Sequence, residues 1–362
     1  MNRLFRHITQ MVMAGLILAM TGCAYDETVR ELREQPADSQ GLAITFSDGI
    51  IDNPVRIRTR AQALTLLSDH TRSMGVWGWQ TTPEGVTERP FLNQEVTFST
   101  PQDKWTYNPV KYWEYKSTYR FCAYAPHSGS VPGVTASIDS ITHAISIKGV
   151  TLEGSNTIDS GVPEPPANFA RVADTDWMLD RTGQSMAGIT RSEVMFCMQH
   201  ILSKLCIRVC RSDGYKRDSL VSINVDSLKI GSFISQGDFT QTMSDSPLAL
   251  AAEWTPVDTL PRYTVTSAKN VSVPDSAVYI LETLLIPQSV GDGQKIHIWY
   301  NIGSNSGHVN RMDNIFSLNE LFGRFEAGKN YVITVIIGPD PIRFDGGVVD
   351  WSDNHIGSKT IK

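Results

Sequence analysis

The sequence predicts an all-β protein made of paired β-sandwiches. Two observations carry this. From Leu42 onward the chain is a series of short runs, such as Leu42 to Phe46 and Tyr331 to Ile337, in which apolar side chains recur with strand spacing. Glycine- and proline-bearing turns separate the runs, and only Leu318 to Phe322 reads as helical.

The first residues stand apart from that pattern. Arg3 and Arg6 give a positive start, Met11 to Met20 form an apolar core, and Met20-Thr21-Gly22 lead into Cys23. This end resembles the bacterial lipobox, which implies cleavage before Cys23 and acylation of that cysteine. The rival is an uncleaved anchor helix, but the apolar run is well short of the ~20 residues that span a bilayer. Ala24 to Gln40 is polar, acidic and carries Pro36, as expected of a tether. Asp26 and Glu27 look like the acidic export signal of some lipoproteins of Bacteroidales-type bacteria; an ordinary solvated tether is the other reading.

Strands follow in order. Leu42 to Phe46 alternates with period two, and Met74 to Trp79 is short, aromatic and broken by glycine. Val96 to Phe98 and Trp105 to Tyr107 flank a proline-containing turn and predict a hairpin. Tyr119 to Tyr124 is stopped by Pro126, and Ala144 to Ile147 is a further strand. Gly154 to Pro166 reads as a surface loop, and Asp176 to Leu179 closes the first unit. A second unit begins near Glu193 with Val194 to Met198 and Leu205 to Cys210. Between Leu220 and Ile230 the apolar parity changes, which predicts a bulge. Tyr263 to Val265, Val278 to Leu281, Lys295 to Tyr300 and Tyr331 to Ile337 complete the set. The tail is read as two short segments, Ile342 to Phe344 and Val348 to Trp351, parted by Gly346-Gly347. The chain thus divides into a signal peptide at 1–22, a lipidated tether at 23–40, and sandwiches at 41–188 and 189–362. Phe121 and Phe196 are expected in the cores.

Composition narrows the function. A net charge of −6 leaves no basic surface for nucleic acid. Apart from Cys23, four cysteines remain: Cys122, Cys197, Cys206 and Cys210. Cys206 and Cys210, four residues apart on one strand, would have Cα atoms ~13 Å apart, too far for a disulfide. The Cys197-to-Cys210 segment lacks the close cysteine pair of a zinc site, so free thiols are expected. No H-E-x-x-H, G-x-S-x-G, P-loop or dinucleotide fingerprint occurs. Gly303-Ser-Asn-Ser-Gly307 places Asn305 where a nucleophile would stand and reads as a loop. His200, beside Ile201 and Leu202, reads as a packed histidine. The expectation is a non-enzymatic protein with no cofactor and no metal. Its eight tryptophans are expected mainly in packing; a row of exposed ones would instead indicate a glycan-binding surface.

Several pieces in order resemble a known family. Trp105-x-Tyr107-x-Pro109-Val-Lys-Tyr112-Trp113 precedes Tyr119-x-Phe121-x-Ala-Tyr124-Ala-Pro126. Asp176-Trp-Met-Leu179 follows, then Val194-x-Phe196-x-x-x-His200-x-Leu-Ser-x-Leu205, Tyr331-x-Ile333-x-Val335 and Val349-Asp-Trp351. The order is similar to that of the fimbrillin-like (Mfa-like) lipoproteins, relatives of the type V pilins. The resemblance spans Leu42 to Trp351. It implies two tandem transthyretin-like β-sandwiches and a fimbrial subunit or accessory subunit. It further implies a lipid anchor in the outer membrane, surface exposure, other fimbrial subunits as partners, and an adhesion ligand on a host or bacterial surface. Subunits of this kind join by β-strand exchange after a cut that removes the first strand, commonly at arginine. Here Arg56, Arg58 and Arg60 follow the first strand. A cut there and an uncut loop of solvated charges are both open. The alternative function is a surface glycan-binding lipoprotein of sandwich type.

Overall fold

Side chains that alternate along a strand cover both faces of a sheet, and this chain stacks sheets on both. The computed structural model describes residues 42–51, 66–114, 116–139, 144–152, 170–171, 178–180, 185–187, 193–242, 252–258, 262–267 and 270–351. The described strands are β1 (Ile50–Ile51), β2 (Ser73–Thr81), β3 (Thr87–Ser99), β4 (Lys104–Thr106), β5 (Thr118–Ala125), β6 (Thr135–Ile138), β7 (Ala144–Thr151), β8 (Ala170–Arg171), β9 (Met178–Asp180), β10 (Ser185–Ala187) and β11 (Cys197–His200). They continue as β12 (Ser203–Arg211), β13 (Val221–Phe233), β14 (Gln236–Thr242), β15 (Ala252–Val257), β16 (Tyr263–Ser267), β17 (Val271–Ser272), β18 (Val278–Leu285), β19 (Lys295–Ser304), β20 (Val309–Ser317), β21 (Lys329–Ile337) and β22 (Arg343–Asp350). The protein is all-β, as the alternation predicts.

Four sheets result. The largest runs β1-β11-β9-β5-β2-β3-β4, with β10 also on β5. A second runs β22-β21-β12-β18-β8, a third β16-β13-β19-β20 with β17 on β13, and a fourth β15-β14-β7-β6. Most pairs are antiparallel, but β1 runs parallel to β11, β12 to β21 and β18 to β8. The hairpin expected around Phe98 and Trp105 is present, with those two residues opposite each other. The bulge expected before Ile230 is also present, where the register slips between Val225 and Ser227.

Alternation on β2 and β5 feeds two cores at once. Met74 and Val76, with Tyr119, Phe121 and Ala123, face one core, which also holds Ile44, Phe46, Val194 and Phe196. Trp77, Trp79, Cys122 and Tyr124 face the other, shared with Ile147, Ile207, Phe239, Ile298 and Ile333. Phe121 and Phe196 are both fully buried. The glycines within β2 serve packing: a Cβ on Gly75 would lie 2.1 Å from Cε1 of Tyr124.

Several expectations need revision. The strand expected at Val194 to Met198 is regular from Cys197 to His200, and it pairs with β9 and β1 of the first sheet. The fourth sheet mixes the halves as well, because β7 lies on β14. The expected boundary between 188 and 189 falls at residues outside the description. The tail is one strand, not two: β22 runs through Gly346-Gly347, where the missing side chain lets Gly346 lie against Leu321 and Phe322. The region at Leu318 to Phe322 holds a single 3-10 turn, Leu318–Glu320. One four-residue helix, Leu67–His70, was not foreseen. Gly154 to Pro166 lies outside the described residues.

Cys122 and Cys206 are buried, and Cys197 and Cys210 are half-buried. Cys206 and Cys210 share β12, as expected. His200 is packed flat on Trp351, with ring centroids 3.8 Å apart. Among the described residues no helix is long and apolar enough to cross a membrane, and no group of His, Cys, Asp or Glu is placed to hold a metal ion.

Candidate functional site

The first described segment, residues 42–51, lies in a seat built from distant parts of the chain. Its alternation sets its two sides. Ile44 and Phe46 point inward and are 1% and 2% exposed, while Thr45 faces solvent. Leu42, which the alternation places in the same row, sits at the rim and is 37% exposed.

Backbone bonds hold the segment on both flanks. On one side Ala43 bridges Tyr112 in antiparallel sense. There the Ile44 N–H donates to the Lys111 carbonyl (2.8 Å), and the Trp113 N–H donates to the Leu42 carbonyl (2.8 Å). On the other side Phe46 bridges Val194 in parallel sense. The Val194 N–H donates to the Thr45 carbonyl (2.9 Å), the Ser47 N–H to the Val194 carbonyl (3.1 Å) and the Ile50 N–H to the Phe196 carbonyl (2.9 Å). Only Ile50–Ile51 is a regular strand; the strand expected at Leu42 to Phe46 is extended chain held by single bridges, at Ala43 on one flank and Phe46 on the other.

Side chains complete the seat. The ring of Phe46 meets Phe91 at 5.8 Å, Tyr107 at 5.5 Å and Phe121 at 6.2 Å, all edge to face, and stacks on Phe196 at 5.8 Å. The Tyr107 hydroxyl donates to the Ile44 carbonyl at 2.8 Å. Burial pushes the Tyr107 phenol above its usual pKa, which keeps it protonated and donating. At the far end Asp48 accepts from the Ser68 N–H (3.0 Å), the Ser68 hydroxyl and the Trp105 indole N–H (3.1 Å). The Leu67 N–H donates to the Gly49 carbonyl at 2.7 Å. Ile50 bridges Leu66 in antiparallel sense.

Arg56, Arg58 and Arg60 lie outside the described residues, as does Cys23. The residues that form the seat were legible only in part. Trp105, Tyr107, Tyr112 and Trp113 stood in the sequence motif, and Val194 and Phe196 in another. Nothing in the sequence joined the two motifs across the first strand. Asp48 carried no signal at all.

Tryptophan placement bears on ligand chemistry. Trp77, Trp79, Trp105, Trp113, Trp254 and Trp351 are buried and Trp299 is half-buried. Among the described residues there is no row of exposed tryptophans.

Comparison with known proteins adds a family and a fold. The profile of a family described as fimbrillin-like matches residues 59–351. The match thus begins after the first strand, whereas the resemblance spanned Leu42 to Trp351. The chain is similar to a solved fimbrial protein from Bacteroides vulgatus, at 15% identity and a TM-score of 0.58, over 86% of this chain and 99% of that one. It is also similar to the tip fimbrial protein Mfa3 from Porphyromonas gingivalis, at 9% identity and a TM-score of 0.33, over 85% of this chain and 100% of that one. No curated protein matches the chain.

Proposed function

The chain belongs to the fimbrillin-like family, and from that premise we propose that this fimbrial subunit joins its neighbours by strand exchange at the seat of residues 42–51. The observation that carries the reading is the seat itself. A short segment at the start of the fold supplies two core side chains, Ile44 and Phe46, and is bonded on both edges. Taking it away leaves two unpaired backbone edges around an apolar slot. Such a slot is unstable until another strand fills it, and a strand from a second subunit offers the same backbone groups.

The arginine loop supplies a place for release. Residues 52–65 contain Arg56, Arg58 and Arg60 and separate the first strand from Leu66. A cut in this loop detaches residues 42–51 from everything that follows while the rest of the seat stays covalently whole. Acylation at Cys23 would hold the uncut chain at the outer membrane until then, with other fimbrial subunits as its partners at the cell surface. The burial of most described tryptophans supports a packing role for them over a glycan-stacking one.

The experiment compares a chain beginning at Ala24 with one beginning at Ala61. The longer chain is expected to form no polymer by light scattering. The shorter one is expected to form ordered polymers or to aggregate, and to be rescued by a synthetic peptide of residues 42–51. A soluble, stable chain beginning at Ala61 that forms no polymer overturns the proposal.

A further inference from the structure

Strand β20 ends its sheet. It pairs with β19 along one side, and no described strand lies along the other. Its side chains are open to solvent: Val309 is 58% exposed, Met312 45% and Ile315 62%. Asn310, Arg311 and Asp313 are exposed too. A long edge with apolar side chains is a template for another strand.

The backbone says which residues offer free bonding groups. The Ser304 N–H donates to the His308 carbonyl, and the Leu318 N–H donates to the Gln294 carbonyl. Between these points the register is unbroken, from Gly303 opposite Val309 to Lys295 opposite Ser317. Antiparallel bonding alternates residue by residue. The even-numbered residues of β20 therefore bond to β19. Val309, Arg311, Asp313 and Ile315 turn their N–H and C=O groups to the open edge.

The sequence of that edge is complementary to its own reverse: Val309-Asn-Arg-Met-Asp-Asn-Ile315. Two copies laid antiparallel about Met312 put Arg311 opposite Asp313 twice, Asn310 opposite Asn314 twice and Val309 opposite Ile315 twice. Met312 meets itself on the axis. In this register odd residues face odd residues, which is the parity that bonding requires. Opposite charges and apolar pairs directly across a ladder are favourable, and like charges there are not. One patch serving both partners is the geometry of a two-fold dimer.

We propose that β20 pairs edge to edge with β20 of a second copy of this chain, across a two-fold axis at Met312. The contact uses no residue of the first-strand seat, so it forms with residues 42–51 in place. It joins subunits side by side, whereas strand exchange joins them in succession.

The test uses the chain beginning at Ala24 and sedimentation over a concentration series. The native chain is expected to dimerise. Arg311→Asp places two acidic pairs across the axis and is expected to weaken the dimer by about tenfold or more. Arg311→Asp combined with Asp313→Arg restores opposite charges and is expected to restore the dimer. Met312→Cys places two thiols on a non-bonded pair with Cα atoms ~4.5 Å apart, within disulfide reach. It is expected to give a covalent dimer under mild oxidation, whereas a cysteine at exposed Leu220 is not. Circular dichroism checks that each variant keeps its β spectrum. A native chain that stays monomeric throughout, an Arg311→Asp variant that dimerises as tightly as native, or equal cross-linking at positions 312 and 220 overturns the proposal.

Discussion

The ring of Phe46 lies on the ring of Phe196, with centroids 5.8 Å apart and planes 21° from parallel. The start of the fold is thus closed by a residue that enters the chain much later. The contact ties together the first strand, the first core and the stretch leading into β11.

Phe46→Ala should therefore cost more than an ordinary surface change. Truncating a buried phenylalanine typically costs ~3–5 kcal/mol, a large part of the ~5–15 kcal/mol that holds a domain together. The expected result is a large drop in melting temperature and faster amide exchange at Ile44 and Val194. A midpoint unchanged within about a degree, on the scale of ~2–4 °C per kcal/mol for a domain of this size, would show that the ring is not holding the seat.

Alkaline pH should loosen the same seat. Burial raises the folded pKa of Tyr107 above its ordinary 10.0. Its stabilising contribution is complete below the unfolded value and is lost as pH rises through the folded value, because only the unfolded chain gives up the proton early. Ionisation also removes the donor that serves the Ile44 carbonyl. Melting temperature is expected to fall as pH rises past about 10, the unfolded tyrosine value. Tyr107→Phe is expected to be less stable at neutral pH and to show a shallower alkaline fall. Parallel curves for the two proteins would refute a role for this phenol.

Gly75→Ala should be poorly tolerated although the change is small. The added carbon would sit 2.1 Å from Tyr124 Cε1 and 2.7 Å from Asn93 Oδ1. Tyr124 has little freedom to move, since its hydroxyl donates to Asn93 at 2.8 Å and its ring stacks on Trp77 at 4.9 Å. A loss of ~1–3 kcal/mol or more is expected from such overpacking, read from chemical denaturation. Native stability in this variant would mean that Tyr124 has another rotamer available.

Cys23→Ala should abolish membrane retention. In cells the variant is expected to stay unprocessed or to appear in the soluble fraction, while the native protein fractionates with membranes and carries a fatty acyl label. Equal retention and equal mature size would remove the lipid anchor from the account.

Most strands could be read from the sequence because alternation is a local property. Tyr119 to Tyr124 and Lys295 to Tyr300 declared themselves by their own side chains, and β5 and β19 contain them. Partners were another matter. Nothing in Leu205 to Cys210 states that it runs parallel to Tyr331 to Ile337, because pairing is decided by core shape over long separations. The same reason hid the neighbours of the first strand. Glycine was misread twice. Gly75 and Gly346 looked like breaks, yet both sit inside strands where a neighbouring side chain presses close to the backbone. The burial of Phe121 and Phe196 was legible because large apolar side chains on alternating runs have few other places to go.

The sheet in which β7 lies on β14 has a mechanical consequence. Strands from before and after the stretch 153–192 are laced by bonds from Gln236–Thr151 to Thr242–Ala144. A tug on one half reaches the other through a row of hydrogen bonds loaded together, not through a single covalent tether. A fibre assembled from such units should yield at the joints between units before it yields within them. Its bending stiffness would then be set by how each inserted strand fits its seat.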